Sequence, residues 1–285
     1  MTINLLGAIE IRKIADELDL YPKKSLGQNF VVDANTCQKI ARLAEVKSSD
    51  HVVEIGPGIG SLTLALLESG AKVTALEIDS RLAARLPITL KEHGASNFEV
   101  IETDALHFND LPSDVNKLVA NLPYNISVPV LLYFLEHFSN IKSGIVMVQS
   151  EVAERLAARP GTKDYGAPSA KAAWWAKLEL SDSISRKVFW PIPNVDSSLV
   201  SFHRLEPVDR SESLRKATFQ VIDLAFGKRR KMLRSALSEL FGSSGAAESA
   251  LSAIGINPTD RGESLSLSDR SEEHTSELQS RIRIS

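Results

Sequence analysis

From His51 onward, short continuous apolar runs alternate with stretches whose apolar positions recur at three- and four-residue spacing. HVVEIG is predicted to be a buried strand closing on glycines. SLTLALLESG follows as a helix, with Ser61 as its possible cap and Gly70 as its stop. KVTALEI then reads as a strand, SRLAARLPITLKEH as a helix despite Pro87, and FEVIETD and KLVANLP as two further strands. VPVLLYFLEHF is helical, GIVMVQS is a strand, and EVAERLAA is a helix. Repeated strand–helix units predict an α/β fold: a parallel sheet with helices on both faces, taking its ligands at the carboxyl ends of the strands. ARPGTKDYGAPS reads as a loop, and VFWPIPNVDSSLVSF as a strand-like stretch broken by Pro191 and Pro193, which suits an edge or an irregular connection. From about Glu206 the pattern changes. SESLRKATFQVIDLAFGKRRKMLRSALSELF predicts two helices broken near Gly227 and AAESALSAIGI a third, together a small helical second domain.

The chain has 285 residues, 43% hydrophobic and 24% charged. That is ordinary for a globular protein and excludes a disordered chain, a collagen-like fibre and a low-complexity repeat. No apolar run approaches the roughly 18 residues of a membrane span. The start, MTINLLGAIEIRKIADEL, lacks a cleavable signal pattern, so a cytoplasmic protein is expected. The single cysteine, Cys37, cannot form an internal disulfide or a zinc cage, and reads as a small buried residue. The six histidines show no ligand spacing, so no metal is expected. From Arg270 the chain reads RSEEHTSELQS, which looks like the translation of a sequencing-library adapter. Residues 270–285 are therefore expected to be a non-native tail in place of the natural C-terminus.

The net charge of −3 does not by itself advertise nucleic-acid binding, but its distribution changes the picture. Between Leu214 and Ser235, Arg215, Lys216, Lys228, Arg229, Arg230, Lys231 and Arg234 face only Asp223, a local balance of +6. A smaller cluster holds Arg12, Lys13, Lys23 and Lys24. Such runs favour phosphate contact, although a solvated helix face has the same composition.

Three motifs carry chemistry. In Glu54-Ile55-Gly56-Pro57-Gly58-Ile59-Gly60 the glycines follow a strand and open a helix, so backbone can approach a ligand closely. The spacing is G-x-G-x-G rather than the G-x-G-x-x-G of dinucleotide binders. Glu77 ends the next strand, 21 positions beyond Gly56, where a carboxylate can accept from both ribose hydroxyls. Asp104 ends the third strand, placed to accept from an adenine amine. Each has a purely structural alternative, but together they describe a nucleoside pocket without a diphosphate site, which S-adenosylmethionine fits. Asn121-Leu122-Pro123-Tyr124 follows the fourth strand. Asn121 Oδ1 and the Leu122 carbonyl can both accept from an aromatic amine and favour a tetrahedral nitrogen. Pro123 holds the turn, and Tyr124 offers a ring to an extruded base. Alignment and electrostatics would carry such a transfer without a general base. An Asx-Pro turn with a core tyrosine is the structural alternative. The third motif, Lys23-Lys24-Ser25-Leu26-Gly27-Gln28-Asn29-Phe30, could fold over the cofactor and touch phosphates, or be a solvated arm.

In order and density these stretches resemble the ribosomal RNA adenine dimethyltransferase family of the KsgA type. The matching segments are KKSLGQNFVVD, VVEIGPGIGSLT, ALEID, TDAL, NLPYNISVPV, VMVQSEVAERLAARPGTKDYG, VFWPIPNVDSSLV, AFGKRRKMLRSAL and RGESLS, covering about Tyr21 to Ser268. The resemblance implies a class I S-adenosylmethionine-dependent methyltransferase domain of Rossmann-like fold over 1–205. It further implies a C-terminal helical, RNA-contacting domain over 206–269. The activity implied is dimethylation of two adjacent adenosines in the 3′-terminal hairpin of small-subunit rRNA, by a monomer acting on an immature ribosomal particle. Carried over by motif, the cofactor residues are Asn29, Val31, Gly56, Gly58, Glu77, Asp104 and Asn121. Asn121, Leu122, Pro123 and Tyr124 form the catalytic set. Lys23, Lys24, Lys228, Arg229, Arg230, Lys231 and Arg234 are expected on RNA. Val31 stands where the family more often has leucine, and Met232 where threonine is commoner. Two rivals remain: a large-subunit rRNA adenine methyltransferase of the macrolide-resistance class, which shares QNF and N-x-P-Y, and a non-catalytic RNA-binding assembly factor on the same fold. The full-length match argues against the first, and intact Glu77, Asp104 and Asn121–Tyr124 against the second.

Overall fold

The computed structural model describes residues 2–20, 29–206, 211–228 and 230–265. Lys23, Lys24, Arg229 and the expected tail at 270–285 lie outside the described residues. The chain divides into two compact units, Met1–Ala153 with Lys177–Arg204, and Glu154–Ala176 with Leu205–Ser285.

In the first unit, helix α1 (Ala8–Glu17) leads to a short strand β1 (Phe30–Val31) and helix α2 (Ala34–Leu43), which is capped by the Asp33 carboxylate accepting from Thr36 N. Then come β2 (His51–Ile55), α3 (Ser61–Glu68), β3 (Lys72–Glu77), α4 (Ser80–Glu92), β4 (Phe98–Glu102), β5 (Lys117–Asn121), α5 (Ser127–His137), β6 (Ser143–Gln149) and α6 (Ser150–Leu156). After α7 (Ala167–Ala172) the chain forms β7 (Ala176–Ile184), β8 (Phe189–Trp190) and β9 (Ser197–Arg204). The main sheet has the order β4-β3-β2-β5-β6-β9-β7, parallel from β4 to β6, with β9 antiparallel to β6. All five residues of β2 are buried, as a central strand covered on both faces requires, whereas edge strand β4 has no fully buried residue. β1 and β8 form a separate antiparallel ribbon that pairs Phe30 with Trp190 and Val31 with Phe189.

Strand order reverses between β2 and β5: β3 and β4 lie to one side of β2, β5 and β6 to the other. Such a switch point opens a crevice at the carboxyl ends of the strands. Two local expectations change. The cap of α3 is Gly60, at φ +105° and with no side-chain bond, so Ser61 is the first helical residue instead. Strand β7 has no counterpart in the sequence reading. Its mixed burial reflects its place at the sheet edge, where alternation is weak.

The second unit holds α7, α8 (Glu212–Gly227), α9 (Leu233–Ala236), α10 (Ser238–Phe241) and α11 (Ser244–Ala253). Helix α8 stops at Gly227 as expected, but the stretch read as one following helix is two short ones. Residues 154–176, expected with the 1–205 domain, group with these helices. Tyr165 and Ala170 form a buried cluster with Ile222, and the Trp175 ring packs edge-on against Phe219.

Candidate active site

The turn after β2 is built by three left-handed glycines, Gly56 at φ +66°, Gly58 at φ +59° and Gly60 at φ +105°. Gly58 is fixed twice over. A Cβ there would lie 2.9 Å from Phe30 Cε1, and its N–H donates to Glu77 Oε2 at 3.0 Å. The other Glu77 oxygen, Oε1, accepts from the N–H groups of Ile78 at 2.9 Å and Asp79 at 3.0 Å. One carboxylate thus ties the ends of β2 and β3 together. Burial raises the Glu77 pKa, and these backbone N–H groups oppose the rise.

Asp104 stands just beyond β4, where its Oδ1 accepts from Leu106 N at 2.9 Å and its Oδ2 lies 3.0 Å from His107 Nδ1. At the end of β5, Asn121 Nδ2 donates to the Asn29 carbonyl at 3.1 Å. That bond fixes the amide so that Nδ2 is engaged and Oδ1 faces the other way. Leu122 N–H is taken by the Met147 carbonyl at 3.1 Å, and the Tyr124 hydroxyl lies 3.0 Å from Ser197 Oγ. Burial raises the Tyr124 pKa.

Every catalytic and cofactor position expected from the sequence, from Asn29 and Val31 through Gly56, Gly58, Glu77 and Asp104 to Asn121, Leu122, Pro123 and Tyr124, lines one cavity of about 620 Å³ within the first unit. That volume lies in the range of roughly 300–1,000 Å³ usual for cofactor pockets. A carboxylate at the end of β3, an acid beyond β4 and open backbone at Gly56 fit a nucleoside-bearing cofactor. Among the described residues no three His, Cys, Asp or Glu side chains gather as a metal site, and no helix is long and apolar enough to cross a membrane.

The motif reading gave four further residues no role. Glu54, in the middle of fully buried β2, also lines the cavity, and its Oε2 has no hydrogen-bond partner. Burial, with the nearby Glu77 charge adding, pushes its pKa up to about 8. A lone acid inside the apolar run HVVEIG was the available signal. Phe30 stacks on Trp190 with ring centroids 6.4 Å apart, and Ser197 anchors Tyr124. These three depend on pairings between distant segments, which no local pattern announces.

The basic run lies in the second unit, and its described residues Lys228, Arg230 and Lys231 do not form the helix expected. Lys228 follows α8 and Lys231 N donates to the Lys228 carbonyl at 2.8 Å. Arg230 and Lys231 are exposed. Lys228 lies 3.6 Å from Glu239, and Arg234 donates to Glu248 at 2.8 Å, so part of the charge is answered locally. Arg215, counted in the local excess of positive charge, is bonded to Glu212 at 2.7 Å and packs over Phe219.

A profile of the family described as "Ribosomal RNA adenine dimethylase" matches residues 21–273. The chain is 52% identical over 272 residues to "Ribosomal RNA small subunit methyltransferase A" of Leifsonia xyli subsp. xyli, covering 94% of this chain and 96% of that protein. It is 53% identical over 270 residues to the protein of the same name from Streptomyces griseus, covering 93% and 92%. Among solved structures, a dimethyladenosine transferase from Plasmodium falciparum is similar in fold, with a TM-score of 0.70 at 24% identity over 87% of this chain and 97% of that one. The 23S rRNA methyltransferase ErmE follows, with a TM-score of 0.62 at 25% identity over 89% and 99%.

Proposed function

Because the chain belongs to the ribosomal RNA adenine dimethylase family, we propose a division of labour among its residues for that reaction. The protein is an S-adenosylmethionine-dependent enzyme that dimethylates the exocyclic amines of two adjacent adenosines in the 3′-terminal hairpin of small-subunit rRNA. When bound, the cofactor supplies a methyl group on a sulfonium, which needs only an aligned nucleophile. Glu77 receives the ribose hydroxyls on the lone pairs that its three backbone donors leave open. Asp104 accepts from the cofactor's adenine amine. Asn29, the Val31 backbone, Gly56 and Gly58 close around the remainder.

The target amine is weakly nucleophilic because its lone pair is delocalised into the ring. Asn121 Oδ1 and the Leu122 carbonyl accept its two N–H bonds and draw the nitrogen towards a tetrahedral shape, which returns the lone pair to it. Pro123 fixes the turn and Tyr124 stacks on the base. After the first transfer one N–H remains, and either acceptor can hold it for the second. Each transfer would leave the sulfur as a neutral thioether and the nitrogen cationic, so that one now acidic N–H proton is lost to solvent. Preorganised acceptors and alignment supply the catalysis, and no general base is required.

One observation carries this reading: the Asn121 amide is pinned by the Asn29 carbonyl inside the cavity that Glu77 braces. The second unit, holding the region expected over 206–269, supplies RNA contacts through Lys228, Arg230, Lys231 and Arg234. Arg229, Lys23 and Lys24 join them from outside the described residues. We infer that the enzyme works as a cytoplasmic monomer on an immature small-subunit particle; its rRNA substrate supports the location. The test is transfer of labelled methyl to undermethylated small subunits, with large-subunit rRNA in parallel. Dimethyladenosine in the small-subunit hairpin is expected. Label only in large-subunit RNA would reassign the enzyme to the macrolide-resistance class, and no label with cofactor still bound would make it an RNA-binding factor.

A further inference from the structure

Between β8 and β9 the chain crosses residues 191–196, Pro-Ile-Pro-Asn-Val-Asp. Both ends of this loop are attached to walls of the cavity. On the entering side Trp190 pairs and stacks with Phe30, a cavity residue. On the leaving side Ser197 Oγ lies 3.0 Å from the Tyr124 hydroxyl. Six residues anchored at two points of one cavity wall cannot travel far from its mouth. The loop is also held from within: Asp196 Oδ1 accepts from Arg186 N at 2.8 Å, the Asn194 carbonyl from Arg186 Nη1 at 3.0 Å, and the Asp196 carbonyl from Ser150 N at 3.1 Å.

This tethered loop exposes two aliphatic side chains, Ile192 and Val195, alongside Asn194 and Asp196; the Asp196 carboxylate and the Asn194 carbonyl are already taken by Arg186. Ile192, between Pro191 and Pro193, is 63% exposed and Val195 44% exposed, and the exposed Arg186 bonds the Asn194 carbonyl between them. Large aliphatic side chains held in water on a fixed loop, with a cation beside them, match a surface that enters stacked bases while phosphate is met alongside. An adenine can reach Asn121 only after leaving its stack, and an apolar side chain inserted between base steps unstacks them.

We propose that residues 191–196 are a wedge, with Ile192 at its tip, that enters the base stack of the rRNA hairpin beside the target adenosine and holds that base extruded towards Tyr124. This rests on the reading of the protein as a small-subunit adenine dimethyltransferase. Ile192 is a positioning residue and touches neither cofactor nor the reacting amine.

The test uses the full chain and small subunits reconstituted with 2-aminopurine at the target position, whose fluorescence rises when the base leaves its stack. The unaltered enzyme, bound with S-adenosylhomocysteine, should produce the rise. Ile192→Ser should abolish it, and Ile192→Leu should restore it. On ordinary undermethylated subunits Ile192→Ser should lower kcat on the order of tenfold, with KM for S-adenosylmethionine unchanged. A full fluorescence rise with Ile192→Ser, or no rise with the unaltered enzyme despite active methyl transfer, overturns the wedge. Unchanged transfer by Ile192→Ser accompanied by a change in its sedimentation would assign the tip to contact between copies, and overturns it equally. No methyl transfer by the unaltered enzyme to any small subunit overturns the parent reading instead, so the two failures are separate.

Discussion

Replacing Glu54 by glutamine tests the electrostatics of the cavity floor directly. The side chain sits in the centre of β2 with one oxygen unpartnered, and burial raises its pKa from 4.5 to about 8. Between those two values the folded protein holds a proton that the unfolded chain has released. Stability therefore falls as pH rises through that window, by about 1.4 kcal/mol per unit for this one group, and the loss is complete above about pH 8. A glutamine side chain there would be neutral at every pH and nearly the same shape as the protonated acid, so the variant loses this dependence and keeps the packing. Between pH 5.5 and 7.5 the wild type should lose about 2–3 kcal/mol relative to Glu54→Gln, or roughly 4–12 °C in the gap between their melting temperatures. The raised Glu77 contributes with the same sign to both proteins and cancels in the difference. The assay is thermal unfolding of both proteins, free of cofactor, at half-unit pH steps from 5 to 9. Parallel curves would mean that Glu54 is ionised at neutral pH, and that an unseen partner answers its charge.

Asn121→Ala should lower methyl transfer by a factor on the order of 10²–10³ while leaving S-adenosylmethionine affinity within about tenfold, as measured by calorimetry beside single-turnover rates. Asn121→Asp keeps an acceptor oxygen but cannot donate to the Asn29 carbonyl. It should also be deficient, and full activity in it would show that the Asn121–Asn29 bond does not set the geometry. Gly58→Ala would place a Cβ in the left-handed region and 2.9 Å from Phe30; it should cost about 1–2 kcal/mol of stability from the backbone alone and weaken cofactor binding, read by melting and titration. Charge reversal at Arg230 and Lys231 together should reduce the slope of log affinity for RNA against log salt by about 0.7–0.9 for each phosphate that the variant no longer neutralises. An unchanged slope would mean that this turn faces solvent.

The parallel half of the first unit was legible because its information is local. HVVEIG, KVTALEI and KLVANLP are buried on both faces, so their apolar runs are nearly continuous, and β3 and β5 end at Glu77 and Asn121. Glycines that need positive φ, an acid at a strand end and an Asn-Leu-Pro-Tyr turn can all be read without a partner. What stayed hidden depends on pairing. β7 is an edge strand of mixed burial, and the β1–β8 ribbon is two residues long on each side, too short for any period. The basic run looks helical because Lys and Arg are good helix formers. Gly227 nevertheless ends α8, and the chain turns before α9. Arg215 shows the same limit: its charge is visible in the sequence, but its partners Glu212 and Phe219 are not.

On the proposed residue roles, the strand order separates two chemical tasks within one cavity. Glu77 and Asp104 come from the β3–β4 side of the switch point, whereas Asn121 and Tyr124 come from the β5 side. On the proposed roles, the cofactor contacts of Glu77 and Asp104 would lie on one wing of the sheet and the base contacts of Asn121 and Tyr124 on the other, with Asn121 serving both at the seam between β2 and β5. The segment Asn29–Phe30 belongs to neither wing and touches both. Phe30 lies against Gly58 on the cofactor side, and the Asn29 carbonyl holds the Asn121 amide on the substrate side. A displacement of this segment alters both contacts at once. Substitutions on a single wing should separate cofactor affinity from turnover, while substitutions at Phe30 or its stacking partner Trp190 should change both together.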